Sequence, residues 1–116
     1  MKLEELKEKI DIDVEGSLSR FAGMEKMYIK FLKKLPEDGN YEKLKEAVEK
    51  KETDNIEVYA HTLKGICGNL GLTYLYEKST QIVAAVREDR AQEIPGLMNE
   101  LSEEMEKAAE LIRKLD

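Results

Sequence analysis

Apolar side chains recur along this chain at steps of three and four residues, and no stretch alternates as a half-buried strand does. The pattern predicts helices from end to end. Leu3 to Ile10 reads as a short first helix. Asp13 can cap a second, which runs to about Ala22 and stops at Gly23. Met24, Met27, Tyr28, Phe31, Leu32 and Leu35 mark the apolar face of a third. Leu35-Pro36-Glu37-Asp38-Gly39-Asn40 is the clearest turn signal. Beyond it, Asn40 can cap a helix that turns Tyr41, Leu44 and Val48 inward. Asp54 with Glu57 has the form of a capping box for the next helix, and Gly71 suits the C′ position at its end. Thr73 can cap a further helix with Leu75, Ser79, Ile82 and Val86 inward. The last helix carries Pro95 in its first turn, where a missing N–H costs nothing. Its Met98, Leu101, Met105, Ala108, Ile112 and Leu115 alternate steps of three and four, the spacing of helices that cross at small angles. The methionine and aromatic positions read as core.

These elements imply an all-α fold in one domain, residues 1–116. The expected architecture is an antiparallel four-helix bundle with one or two additional short N-terminal helices. No internal repeat, linker or low-complexity segment interrupts it.

One helix departs from simple packing logic. Its segment His61-Thr62-Leu63-Lys64-Gly65-Ile66-Cys67-Gly68-Asn69-Leu70-Gly71 holds the only histidine of the chain. With His61 at 0° on a helical wheel, Ile56, Tyr59, Ala60, Leu63, Ile66, Cys67 and Leu70 fall between about 140° and 260°. Glu57, Val58, Lys64, Gly65, Gly68 and Asn69 fall within about 80° of the histidine. His61 is thus expected to face solvent while its helix is anchored from behind. Gly65 and Gly68 line up beside it, and each costs the helix roughly 0.5–1 kcal/mol relative to alanine. That cost makes sense if another molecule must approach the backbone there. A lone helical histidine is ordinarily an incidental surface or core residue. The conjunction of an exposed imidazole, Lys64, two aligned glycines and a clean apolar back face points away from that reading.

The run His-Thr-Leu-Lys-Gly followed by Asn-Leu-Gly resembles the active motif of histidine-containing phosphotransfer (HPt) domains. That pattern is His-x-apolar-Lys-Gly, four variable residues, then apolar-Gly, and each fixed position is met. The likeness extends outward. Ile12 to Gly23, with Tyr28 beyond, resembles the family's N-terminal helix and the start of the next. Gly71-Leu72-Thr73-Tyr74-Leu75-Tyr76 resembles its turn into the helix after the motif. Some relatives carry a glutamine on that helix which contacts the phosphoryl site; here the position is either Gln81 or an apolar residue such as Val83. The resemblance implies a phosphorelay phosphocarrier. On that resemblance His61 is expected to be the phosphoacceptor and Lys64 to stabilise the phosphoryl group. On the wheel, the face of His61, Gly65 and Gly68, with Val58 as its one apolar residue, is where a partner is expected to dock. The implied partners are receiver domains of response regulators or hybrid sensor histidine kinases, and the implied state is a monomer.

Composition narrows the function classes. Hydrophobic residues make up 41% of 116, enough for one core of modest size. Charged residues reach 38%, with two prolines and no tryptophan, a mix that suits a helical bundle. The net charge of −6 and the lack of a basic run argue against nucleic acid. The longest apolar run, Ile82 to Val86, is far too short to span a bilayer, so no membrane partner is expected. The N-terminus has no signal-peptide core, and a single cysteine cannot form an internal disulfide, so the cytoplasm fits. Cys67 falls on the apolar face and reads as a small buried residue.

The residues also limit the chemistry. A neutral imidazole keeps a lone pair on one ring nitrogen and can attack a phosphoryl group. A lysine one turn away can pair with phosphoryl oxygens as a compact charge. Phosphoryl transfer otherwise depends on positioning and charge neutralisation, with a metal as the usual aid. The chain has no Gly-rich nucleotide loop and no convincing metal cluster. His61 and Cys67 face opposite ways, which excludes a Cys–His dyad. Glu103-Glu104 reads as a solvated face. The expectation is a phosphotransfer intermediate, not an enzyme, with no cofactor of its own and Mg²⁺ held by the partner receiver. Three other readings stay open: a phosphorylatable N-terminal domain of a chemotaxis-type kinase, a helical adaptor that binds receivers without carrying phosphate, and a plain structural bundle.

Overall fold

Seven α-helices and two short 3₁₀ turns follow one another in the computed structural model, which describes residues 1–116. The helices are α1 (Leu3–Lys9), α2 (Val14–Arg20), α3 (Glu25–Lys34), α4 (Gly39–Lys50), α5 (Thr53–Asn69), α6 (Thr73–Arg87) and α7 (Ile94–Ile112). Helices α4 to α7 form the expected bundle: α5 lies between α4 and α6, α6 packs on α7, and α7 closes back on α4. The short connections after α4 and α5 make neighbours antiparallel. Helix α3 covers part of α7, and α2 rests on α3. One apolar cluster runs through the assembly, from Leu3 and Leu6 through Tyr28, Leu32, Leu63 and Ile82 to Leu101 and Ile112. No helix is long and apolar enough to cross a membrane.

Several ends form as the sequence implies. Asp13 accepts a hydrogen bond from the Gly16 N–H at 3.0 Å and caps α2. Gly71 takes φ +74° after α5. Its N–H reaches the Gly68 carbonyl at 3.2 Å and the Leu72 N–H reaches that of Cys67 at 2.9 Å, the paired bonds of a Schellman ending. Pro95 stands in the first turn of α7.

Other ends differ. Helix α2 stops at Arg20, and Ala22 (φ +54°) enters the left-handed region ahead of Gly23 (φ +73°). The Gly23 N–H bonds the Leu18 carbonyl at 2.7 Å, and this bond offsets the strain at Ala22. Asp38, not Asn40, caps α4, because its side chain accepts from the Asn40 N–H at 2.8 Å and the helix starts at Gly39. The expected capping box at Asp54 does not form. Helix α5 begins at Thr53 with no side-chain cap, and Glu57 turns instead to Arg87 on α6. Thr73 is the first residue inside α6, where Leu72 holds the uncapped N-cap position. A 3₁₀ turn, Ala91–Glu93, leads into α7 and has no counterpart in the sequence reading.

The third helix also corrects an expectation. Tyr28, Leu32 and Leu35 are buried, but Met24, Met27 and Phe31 are exposed. A helix resting on one side of a bundle covers a single stripe, and α3 carries apolar residues beyond it. Val48 is only half-buried, and Ala47 takes the inward place. Glu104 is half-buried whereas Glu103 is solvated.

Candidate functional site

Helix α5 presents its back to the core as the wheel requires. Ile56, Ala60, Leu63, Cys67 and Leu70 are buried, and Tyr59 and Ile66 are half-buried at the margins. Desolvation pushes the Cys67 thiol up to about 12, so it stays protonated and inert. His61 is exposed on the opposite ridge. Val58, one turn before it, is 58% exposed and puts an apolar group on the histidine side of the helix. The Thr62 hydroxyl donates to the Val58 carbonyl at 3.0 Å and so stays on its own helix.

The two glycines beside His61 differ. A Cβ built on Gly65 meets nothing within 4 Å, so the backbone there lies open to a visitor. A Cβ on Gly68 would stand 3.0 Å from Cδ2 and 3.2 Å from Cε2 of Tyr76. The room at Gly68 is therefore filled from within the chain, by an aromatic ring on α6. The expectation that both glycines clear space for a partner holds, on geometry, for Gly65 alone.

Charges flank the histidine on the α6 side. Lys64, one turn on, lies with its ammonium 6.0 Å from the centre of the Tyr76 ring. It joins none of the ion pairs of the fold. One turn in the other direction, Glu57 accepts a hydrogen bond from Arg87 Nε at 3.0 Å. A bare carboxylate at that spot would repel an anion on His61, and the guanidinium offsets it.

The far end of α5 is held by the N-terminal helices. Helix C-termini leave carbonyls without intrahelical partners. Here Arg20 donates to the carbonyls of Gly68 (3.2 Å) and Asn69 (3.2 Å from the same nitrogen), the Tyr28 hydroxyl to that of Leu70 (2.7 Å), and the Asp13 N–H to that of Gly71 (2.8 Å). The buried Ser17 hydroxyl bridges Arg20 and the Asp13 carbonyl. Burial raises the Tyr28 phenol above its ordinary range, so the hydroxyl keeps the proton it donates. Residues 13–28 thus fix the helix that bears the histidine.

Of the two positions considered for an assisting glutamine, α6 turns Val83 toward α5. Val83 lies one turn before Arg87, which pairs with Glu57, and it is buried. Gln81 shares the flank of Lys78, whose ammonium reaches Glu100 of α7 at 3.1 Å. It therefore lies toward α7, with a buried and unpartnered Oε1.

The structure brings together His61, Lys64, Val58 and Gly65 on one surface and adds Tyr76 and Arg87, which sequence reasoning missed. Tyr76 left a trace: it stands about 100° from Leu75 on the wheel, an aromatic residue off the buried stripe. Arg87 left none, since its partner is set by the register between two helices. An exposed nucleophile beside an unpaired cation, on a ridge open to a second macromolecule, is arranged to take up and hand on an anionic group. No group of three or more His, Cys, Asp or Glu side chains converges to hold a metal ion.

Comparison with known proteins agrees with this arrangement. The family model of the Hpt domain matches residues 26–111. The crystal structure of histidine-containing phosphotransfer protein B from Pseudomonas aeruginosa PAO1 shares the fold with a TM-score of 0.79, at 21% identity, over 90% of this chain and 92% of that one. No curated protein matches the chain.

Proposed function

The chain belongs to the Hpt domain family and is a phosphorelay phosphocarrier of two-component signal transduction, and on that premise we propose that His61 is the residue that carries the phosphoryl group. One observation supports this reading above the others: the only histidine stands exposed on a helix whose opposite face is buried, beside a glycine with open space above it.

The donor in this reading is the phosphorylated aspartate of a receiver domain, from a response regulator or a hybrid sensor histidine kinase. The unprotonated ring nitrogen of His61 directs its lone pair at phosphorus. An N–P bond forms, the P–O bond to the aspartate breaks, and its electron pair leaves with the carboxylate. The other ring nitrogen keeps its proton. Return of the group to a second receiver reverses the same steps. Lys64 pairs with the phosphoryl oxygens, and Arg87 screens the Glu57 carboxylate from them. Mg²⁺ and the acidic pocket belong to the receiver, which supplies the rest of the charge neutralisation. The partner lies on the ridge of Val58, His61 and Gly65 with Gly68 at its edge. The chain acts in the cytoplasm, as a monomer.

Mixing the protein with a phosphorylated receiver domain tests the assignment. The expected product is an acid-labile, base-stable phosphate on the chain. His61→Gln should abolish it while helicity and melting stay nearly unchanged, because surface substitutions usually shift stability by no more than about 0.5 kcal/mol. Label that persists in His61→Gln refutes the assignment.

A further inference from the structure

Tyr76 has no part in the transfer proposed above, yet it packs on one residue of the site and lies near a second. It stands in the first turn of α6, 41% exposed, and its ring edge lies against the backbone of Gly68. Any larger residue at Gly68 would push the ring away, so this contact seats the ring on α5. The Lys64 ammonium lies 6.0 Å from the ring centre, at the outer limit for attraction by a π face, and it has no carboxylate partner.

We propose that Tyr76 is a positioning residue for Lys64: its ring holds the ammonium away from His61 while the histidine is unphosphorylated, and this biases the transfer equilibrium toward release of the phosphoryl group. The proposal rests on the reading of His61 as acceptor and Lys64 as its cation.

The argument is one of distance and strength. His61 and Gly68 are seven residues apart, about 10.5 Å along the helix axis. Side chains on a helix lean toward its N-terminus, which moves the imidazole farther from the ring. The ring holds the ammonium only at 6.0 Å, so a shift of the ammonium along the helix toward a phosphoryl group on His61 takes it out of range of Tyr76. A phosphoryl dianion attracts an ammonium more strongly than an exposed aromatic face does, so the lysine moves when the histidine is phosphorylated. The ring contact is lost in that step. It stabilises the unphosphorylated form alone and lowers the phosphorylated fraction at equilibrium. A carrier that must give up its phosphoryl group as readily as it accepts it is served by such an opposing contact.

The test is the equilibrium distribution of phosphate between a receiver domain and the full chain. Tyr76→Leu keeps an apolar group on Gly68 but removes the π face. It should raise the ratio of phosphorylated to unphosphorylated carrier about two- to fivefold, the range of an exposed cation–π contact. Tyr76→Phe should match wild type. In a Lys64→Ala background, Tyr76→Leu should have no effect, because the ring acts through the lysine. The Lys64 Hε protons should show an upfield ring-current shift in the NMR spectrum of wild type, lost in Tyr76→Leu and on phosphorylation. An unchanged equilibrium in Tyr76→Leu, or an equal change with and without Lys64, overturns the inference. If Lys64→Ala itself leaves the equilibrium and the phosphohistidine lifetime unaltered, the role given to the lysine fails instead, and the two failures are distinct. A retained far-UV circular dichroism spectrum confirms that each variant is folded.

Discussion

Replacing Gly65 with alanine separates the two reasons a helix can carry a glycine. The residue is in the interior of α5, where Gly→Ala ordinarily gains about 0.5–1 kcal/mol. The added Cβ meets nothing within 4 Å, so no steric penalty opposes the gain. For a domain of this size the melting temperature should rise by about 2–6 °C. At Gly68 the same change forces the Tyr76 ring to yield, and the gain there should shrink or vanish. Transfer should respond in the opposite sense. The methyl group projects about 1.5 Å from the ridge one turn beyond His61. A partner that rests on the bare backbone must stand off by about 1 Å, and misplacement of that size costs on the order of 10²-fold in rate. Gly65→Glu should weaken receiver binding further while the helix survives, since glutamate forms helices better than glycine. Thermal melts by circular dichroism give the first quantity. Single-turnover transfer from a phosphorylated receiver gives the second, and titration of the receiver the third. A Gly65→Ala variant that melts higher and transfers at the wild-type rate would remove partner approach as the reason for the glycine. One that melts lower would reveal a structural need that the open space at this position denies.

Two further outcomes follow from the packing around α5 and α7. Gly71→Ala places a Cβ 2.6 Å from the Asp13 carbonyl oxygen and against the Ser17 hydroxyl, at φ +74°. It should destabilise the fold by more than about 2 kcal/mol, a fall in melting temperature of roughly 10 °C, and a loss below about 0.5 kcal/mol would show that the contact between α2 and α5 yields easily. Glu104 has its carboxyl raised above the ordinary range, first by partial burial and then by Asp11, against the pull of Lys107. Folding thus favours its protonated form, so its contribution to stability is full at low pH and declines as pH rises through the raised value. Glu104→Gln should melt higher than wild type at pH 7, with the difference closing as pH falls below the usual carboxylate range, and a constant difference across pH would contradict the burial argument.

The sequence by itself determined the helices, the bundle class and the exposure of His61. These rest on local rules. A helix turns every 3.6 residues whatever surrounds it, so the spacing of Ile56, Ala60, Leu63 and Cys67 put the histidine on the outer face before any neighbour was known. The stop at Gly71 is local too, since the left-handed ending needs a residue without a Cβ penalty.

The tertiary structure decided what depends on a second element. Asp54 and Thr73 had the right chemistry for caps, but the chain entered the first of these helices two residues earlier and the second one residue earlier. Glu57, free of the expected box, found Arg87 across the helix pair. Met24, Met27 and Phe31 matched the apolar pattern of α3 as well as Tyr28 and Leu32 did, yet the bundle covers only one stripe of that helix. Val83 and Gln81 both stayed open as the glutamine position until the register of α6 against α5 and α7 turned one toward each. Gly68 was read as clearance for a partner, because no rule of spacing reveals that an aromatic ring from the next helix already occupies the room. Periodicity tells which way a side chain points; only the packed neighbour decides what it meets there.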